Sequence, residues 1–367
     1  CSQGLVRRGA PATSFRCGGM ARCPCGARGS AFGAVALAAS LPGFAIGVHV
    51  RHSGGQDGLQ GTVTEAPLGT VDVQYKILEP SEMPIEVYHL NLGKQEYFEN
   101  CLLRYTQVVE DYADKQLQAL ALEALDLEAA SEDFRNASLW EGRHKERIDK
   151  LSNWFHNKYF SWLWGRTCGQ CNVQMTSGGE HVVPTQDELE HGAHRVRLFK
   201  CPTCPNVSRF PRYKSLKKLL ETRTGLCGEF ARVFGLFLAA LGYEYRLVLD
   251  WTDHVWNEVL IDSRWETVDT TCPGYNFKHI LRWHMPVVYI VAFGAHEVLD
   301  VTARYATNWA DVEARRGKDG NFDPKVAKQL IHEADERVRE LRGETEPPQW
   351  RAQEAKDLDA MRLPGKL

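Results

Sequence analysis

The stretch "TRTGLCGEFARVFGLFLAALG", residues 222–242, decides how the rest of the chain is read. From Gly225 to Leu241 it is long, largely apolar and free of proline, which predicts a buried helix. One cysteine, Cys227, stands at its head between Gly225 and Gly228. A cysteine inside an apolar helix is ordinarily a small hydrophobe. At a helix N-terminus, however, the sulfur meets unpaired backbone N–H groups and the positive end of the helix dipole, and both favour thiolate over thiol. The glycines let the backbone turn tightly there and leave the sulfur reachable.

The residues that follow decide between the two readings. "YRLVLDW", "HVWNEVLI" and "RWETVD" are runs of strand composition, and "VVYIVAF" and "EVLDVT" add a further pair, so an antiparallel sheet is expected after the helix. His254 falls at the start of one strand and Asp269 at the end of the next. In a hairpin those two ends are neighbours, so imidazole and carboxylate should meet. If the helix packs its N-terminus against that edge, Cys227 reaches the ring. Cys227, His254 and Asp269 would then be nucleophile, base and orienting carboxylate, the set that activates a thiol for attack on a carbonyl. Taken singly, each residue has a plain structural explanation; their order and local setting together point to a triad.

A second constellation lies upstream. "CGQC" supplies Cys168 and Cys171, and "CPTC" supplies Cys201 and Cys204. Each CxxC turn can aim two thiolates at one point, and two such turns provide the four soft ligands of a tetrahedral zinc ion. Four thiolates leave no open coordination position, so Zn2+ is expected to be structural. The loop between the pairs contains His181, His191 and His194, so a histidine in place of one cysteine stays open. Four free thiols and a redox-active CxxC are the alternatives, although redox motifs of that kind come singly and beside a βαβ unit.

The chain has 367 residues, enough for two or three domains, and a formal net charge of -3 that supplies no basic surface for nucleic acid or a membrane. Eleven cysteines, an odd number, suit a reducing compartment better than a disulfide framework. Residues 1–43 are expected to be a disordered or targeting segment. The uncharged run 31–48 contains Pro42 and many Ala and Gly residues and makes a poor membrane span, while a cleaved signal or transit sequence starting near Met20 is the alternative. The chain opens on Cys1 rather than Met, which suits a fragment or an overextended gene model. Residues 44–95 alternate short β-rich runs with Gly-rich breaks and are expected to form a small SH3-like β-barrel. Residues 100–164 switch to helical spacing, with Val108, Val109, Tyr112, Ile148, Leu151, Trp154, Phe155, Tyr159 and Trp162 as a core stripe. A zinc-binding subdomain over 165–210 and a catalytic core over 211–309 follow. In the C-terminal helical tail, 310–367, Asp323, Pro324 and Gly343 mark the two ends of one helix.

From about Leu151 to Tyr305 the sequence resembles cytosolic peptide:N-glycanase, a family of the transglutaminase-like superfamily. The motifs that carry the resemblance are "WFHNKYFSW", "CPTC" leading into "RFPRYKSLKKLLETRTGLCGEF", "DWTDHVWNEV", "RWETVD" and "YIVAFGAHEVLDVTARY". It implies an α+β fold with a transglutaminase-like, papain-like core, a helical lobe and a four-cysteine zinc-binding insert. The implied activity is amidase removal of N-linked glycans from denatured glycoproteins. Cys227, His254 and Asp269 would be the triad, and the four CxxC cysteines would bind zinc. Trp256, Glu258 and Trp265 match positions near the sugar-binding side of the family's cleft. A cytoplasmic location, with the nucleus as a second, is implied too, and ubiquitin–proteasome shuttle factors are the candidate partners. The chain departs from the family's Cys-Gly-Glu-Trp-Ala-Asn at Phe230 and Arg232, and Cys272 replaces an acidic residue. The competing readings are a protease or transglutaminase on the same fold, and a non-catalytic scaffold like those relatives that act in DNA-damage recognition without a triad. The sequons at Asn136 and Asn206 are read as chance matches, the second because it abuts a CxxC turn.

Overall fold

The computed structural model describes residues 60–61, 75–76, 94–163, 167–177, 181–251, 254–277, 287–316, 323–343 and 348–363. Two short antiparallel strands, β1 (Gln60–Gly61) and β2 (Tyr75–Lys76), fall within the expected barrel. The rest of that barrel, the 1–43 segment and the apolar run 31–48 lie outside the described residues. Among the described residues, no helix is long and apolar enough to cross a membrane.

The helical lobe begins with α1 (Lys94–Asp111), whose buried Phe98, Cys101, Leu102, Tyr105, Val108 and Val109 recur at three- and four-residue intervals and form one apolar face. α2 (Lys115–Glu128) starts at Asp114, whose carboxylate accepts from the Gln116 and Leu117 N–H groups. Two short 3-10 turns lead to α3 (His144–Trp154), which runs directly into a π-helical turn, Phe155–Tyr159. The aromatic run expected as core is core: Trp154, Phe155, Tyr159 and Phe160 are buried. Trp162 is the exception, half-buried in β3 (Ser161–Trp162).

The metal lobe holds β4 (His181–Val182), α4 (Gln186–Glu190), β5 (Val196–Lys200) and β6 (Val207–Pro211), with the strands in one antiparallel sheet of order β4-β5-β6. Then come α5 (Leu216–Thr222), β7 (Thr224–Gly225) and the buried α6 (Cys227–Ala240). β7 pairs in parallel with β3, which pins the end of the helical lobe beside the head of α6.

The main sheet contains β8 (Tyr245–Asp250), β9 (His254–Ile261), β10 (Arg264–Val268), β11 (Ile290–Gly294) and β12 (Val298–Asp300). Its order is β10-β9-β8-β11-β12 and every pairing is antiparallel. Side chains alternate between its faces. Leu247, Val255, Val259 and Phe293 join the core shared with α6 and the helical lobe, whereas Val248, Trp256, Ile290 and Ala292 join a second core. Both faces are covered, so the strands read as nearly continuous apolar runs.

The second core is closed by α7 (Thr302–Tyr305), α8 (Trp309–Arg316) and α10 (Gln349–Met361), while α9 (Pro324–Arg342) packs on α1 and β12. Asp323 caps α9 and Gly343 ends it with a φ of 65°, as the sequence signals require. The C-terminal helices are therefore part of the packed body rather than a tail: Leu358 is 2% exposed, and Glu354 of α10 reaches Arg246 in β8 at 2.9 Å.

Gly235 lies where α6 packs closely on Tyr112. A Cβ added there would stand 2.7 Å from Tyr112 Oη, and the Tyr112 side chain is buried with its hydroxyl donating to the Arg232 carbonyl at 2.7 Å. Gly235→Ala should therefore lower unfolding free energy by about 1–3 kcal/mol, overpacking outweighing alanine's helix preference of about 1 kcal/mol. Urea denaturation of Gly235→Ala, alone and with Tyr112→Phe, measures this, and removing the hydroxyl should recover part of the loss.

Candidate active site and metal cluster

Cys227 is the first residue of α6, and Leu226 before it has no side-chain oxygen with which to cap the helix. Glu229, one turn in, turns back and accepts from the Leu226 N–H at 2.9 Å. Cys227 itself is partly exposed. Neither flanking glycine has a positive φ, so they do not serve the tight turn expected of them. Gly225 is required by packing, since its Cβ would lie 2.3 Å from Glu229 Cβ. A Cβ on Gly228 would meet only the Arg212 guanidinium at 3.9 Å, so this glycine opens space beside Cys227.

The hairpin brings the imidazole and carboxylate together as its register demands. β9 and β10 pair with Val268 opposite Asn257, so Asp269, one residue further on, lies near the start of β9. His254 Nε2 stands 2.9 Å from Asp269 Oδ2, with both side chains buried. Cys227 lies beside the same imidazole, whose Nε2 is taken by Asp269.

Burial alone would suppress the charge on His254. The Asp269 carboxylate, its hydrogen bond and the Cys227 side chain outweigh burial and push the imidazole up to about 10. Burial would likewise raise the Asp269 carboxyl, but the His254 charge and the donors around it hold it below the ordinary carboxylate value. Those donors come from Thr271, whose N–H and hydroxyl reach Asp269 Oδ1 at 3.0 and 2.6 Å. Asn276 accepts from the Asp269 N–H at 3.2 Å and donates to Asp149 of α3 at 3.1 Å. The π-helical turn delivers His156 to the Thr270 carbonyl at 2.8 Å. Thr271, Asn276 and His156 escaped the sequence reading. A threonine two residues after an aspartate is a signal for such a turn; no local pattern announces the others.

Trp256 walls the imidazole, with ring centroids 5.6 Å apart and planes 25° from parallel, while its Nε1–H donates to the Tyr305 hydroxyl. Tyr305 in turn donates to Glu258 Oε1 at 2.6 Å. Glu258 is fully buried against Arg246 at 2.7 Å and Arg304 at 3.2 Å, and Arg246 also meets Glu297 and Glu354. Trp265 has the Arg246 guanidinium 3.7 Å from its ring centre and Trp350 at its edge. In this structure the three residues matched to the sugar side are buried: Trp256 stacks on His254, and Glu258 of β9 and Trp265 of β10 both meet Arg246 of β8, Glu258 also reaching Arg304 and Trp265 also meeting Trp350. Phe230 packs among Phe155, Phe160 and Trp162, away from the sulfur. Cys272 is partly exposed, its N–H donating to the Asp269 carbonyl.

Cys168, Cys171, Cys201 and Cys204 bring four sulfurs within 4.8 Å of one another. Metal–sulfur bonds of about 2.3 Å in a tetrahedron need sulfurs about 3.8 Å apart, which this cluster brackets with Cys168 and Cys204 at 3.5 Å. Asn206 donates to Cys168 Sγ at 3.2 Å, and the Thr203 N–H lies 3.5 Å from Cys201 Sγ. The cluster could thus hold a metal ion with all four ligands from the protein, which assigns the ion a structural role. Asn206 is occupied there, in keeping with a chance sequon. The three loop histidines stay outside this cluster: His181 lies in β4, His191 Nδ1 bonds the Asp187 carbonyl, and His194 lines a cavity near α6.

A family model described as the transglutaminase-like superfamily matches residues 180–270, a span that contains Cys227, His254 and Asp269. A Caenorhabditis briggsae protein named peptide-N(4)-(N-acetyl-beta-glucosaminyl)asparagine amidase is 38% identical over 247 residues, covering 65% of this chain and 40% of its own length. A Mus musculus protein of the same name is 34% identical over 278 residues, covering 73% and 40%. Over the matched region the chain is similar to peptide:N-glycanases. It spans about two fifths of the length of these curated relatives. Among solved structures, Rad4-Rad23 bound to a 6-4 photoproduct UV lesion aligns with a TM-score of 0.45 at 15% identity, covering 78% of this chain and 62% of that one.

Because the folded imidazole titrates above the unfolded value of about 6.5, its stabilising contribution is complete below that pH and is lost as pH rises through about 10. Imidazole NMR should find His254 still protonated at about pH 8 in the native chain and neutral there in Asp269→Asn, where burial prevails. A native titration near the free value would remove the ion pair. For the metal cluster, elemental analysis should find one divalent ion per chain, absent from Cys201→Ser, and chelation should lower the melting temperature.

Proposed function

We propose that this chain is a peptide-N4-(N-acetyl-β-glucosaminyl)asparagine amidase that removes N-linked glycans from denatured or misfolded glycoproteins. The observation that carries the reading is the buried imidazole of His254, held by Asp269 through Nε2 at 2.9 Å with Cys227 beside it. The similarity to those relatives supplies the substrate class.

In the proposed reaction the Cys227 sulfur attacks the side-chain amide carbon of a glycosylated asparagine. The oxyanion is received by N–H groups of the first turn of α6. His254 donates its proton to the glycosylamine nitrogen as the carbon–nitrogen bond breaks, leaving a thioester on Cys227 and a free glycosylamine. Water then attacks the thioester and gives its proton to His254. Cys227 leaves as thiolate, and the substrate asparagine has become aspartate. Asp269 keeps the ring oriented throughout and stabilises its charged form.

The same reading takes the cysteine-held ion to be zinc and the location to be cytoplasmic, where thiols stay reduced. It retains the SH3-like barrel as a separate interaction module and ubiquitin–proteasome shuttle factors as partners.

Incubating the wild-type chain and Cys227→Ala with a denatured N-glycoprotein should release glycan and convert the sequon asparagine to aspartate only in the wild type. Asp269→Ala should slow turnover by about 10³ to 10⁴-fold. Equal release by Cys227→Ala, or peptide cleavage or crosslinking in place of glycan release, would overturn the assignment.

A further inference from the structure

The residue before Cys227 belongs to a second structure. Leu226 is half-buried and packs on the core of the metal lobe, which Leu163, Cys168, Met175, Phe199, Cys201 and Phe210 form. Cys168 and Cys201 are two of the four clustered cysteines, and the other two, Cys171 and Cys204, pack on the same core. The side chain that touches the surround of the four sulfurs is thus the immediate neighbour of the residue that lies beside His254.

Leucine runs against the local preference at this position. Leu226 is the N-cap of α6, a place that favours Ser, Thr, Asp or Asn because their oxygen accepts from the first free N–H groups. A residue that breaks such a rule marks a position whose side chain has another task, and the task visible here is anchoring. The paired strand is anchored in the same core. β3 ends at Trp162 opposite Gly225 of β7, and the residues that follow the two strands, Leu163 and Leu226, both join it. A third tie comes from Arg212, just beyond β6: it meets one oxygen of Glu229 at 2.5 Å, while the other oxygen accepts from the Leu226 N–H at 2.9 Å.

We propose that Leu226 is a positioning residue for Cys227: anchored in the core that the four cysteines enclose, it fixes the head of α6 so that the sulfur stays beside the His254 imidazole. The first turn of a helix is its least secure, because its N–H groups have no partners within the helix. A small core relies on a staple for its rigidity, and four cysteines holding one metal ion provide it. The influence of the metal lobe on Cys227 then passes through this one side chain. The proposal takes the role of Cys227 from the amidase reading above and adds what sets its position.

The test uses the full, metal-loaded chain with Leu226→Ala and Leu226→Met, each shown by elemental analysis to hold the metal. Iodoacetamide alkylation of Cys227 is followed by peptide mass spectrometry, which separates it from the other thiols. At about pH 6 only a thiolate stabilised by its surroundings reacts well, whereas at about pH 10 any accessible cysteine is ionised. Leu226→Ala should slow alkylation about tenfold at the lower pH and leave it within about twofold at the higher, as the sulfur moves away from the imidazole. Leu226→Met keeps the volume and should restore the native profile. For glycan release, kcat should fall about 100-fold in Leu226→Ala with KM nearly unchanged, the scale of a misplacement of about 1 Å. Wild type stripped of its metal by a chelator should show the Leu226→Ala profile. If alanine prevents folding, Leu226→Val gives the same comparison on a smaller scale. A native alkylation profile in Leu226→Ala overturns the proposal even where the melting temperature falls, because a purely structural residue would change stability alone; a native profile in the folded, metal-free chain overturns it too. Absence of glycan release by a wild type whose alkylation still depends on Leu226 would count against the amidase reading alone.

Discussion

The arrangement of Cys227, His254 and Asp269 depends on keeping one buried carboxylate charged. Asp269 gives up most of its water, a loss of several kcal/mol for an isolated ion, and it remains ionised because His254 and the two donors of Thr271 surround it. With that charge in place the imidazole holds its proton against its own burial, and with the proton in place the sulfur has a cationic neighbour. Each ionisation in the series is stabilised by the one before it. The supports run outward in the same manner, through Asn276 to Asp149 and through the Thr270 carbonyl to His156. The helical lobe, far upstream in the chain, thus fixes the loop that carries the carboxylate.

A second set of buried charges lies further along the face of β9 that carries His254 and Trp256. Arg246 has no solvent exposure and meets Glu258, Glu297 and Glu354, which come from β9, from the turn before β12 and from α10. Removing one partner from such a cluster leaves an uncompensated charge and costs about 3–5 kcal/mol. The network therefore specifies which helix covers which strands. The chain Trp256–Tyr305–Glu258 joins it physically to the wall of the triad. A cluster of charges that resembles a site for a polar ligand is here saturated from within the protein.

The head of α6 faces both kinds of environment. Behind it, Phe230, Phe234 and Phe237 are buried in an aromatic core with Phe155. In front of it the wall carries arginine side chains. This contrast places a rigid helix terminus at the edge of a cavity lined by Gly228, Glu229 and several guanidinium groups.

Much of this was legible in the residues. The long apolar run of α6, the five strand segments and the capping signals of α9 are local patterns, set by side-chain period and by the special backbone needs of Asp, Pro and Gly. The approach of His254 to Asp269 was also legible, because a hairpin fixes which strand ends are neighbours, and the paired CxxC turns announced a four-sulfur cluster. What the sequence could not determine is whatever depends on elements that meet without being adjacent in the chain. Glu258 and Trp265 are buried where Arg246, Arg304 and Trp350 meet them. Thr271, Asn276 and His156 matter because a loop, a helix and a π turn converge. Gly225 and Gly228 serve packing and open space rather than a turn, and the cavity beside Gly228 exists only where α1, the metal lobe and α6 come together. Period and spacing are properties of one segment, whereas desolvation and charge crowding belong to a volume that several segments share, so only the tertiary structure could decide them.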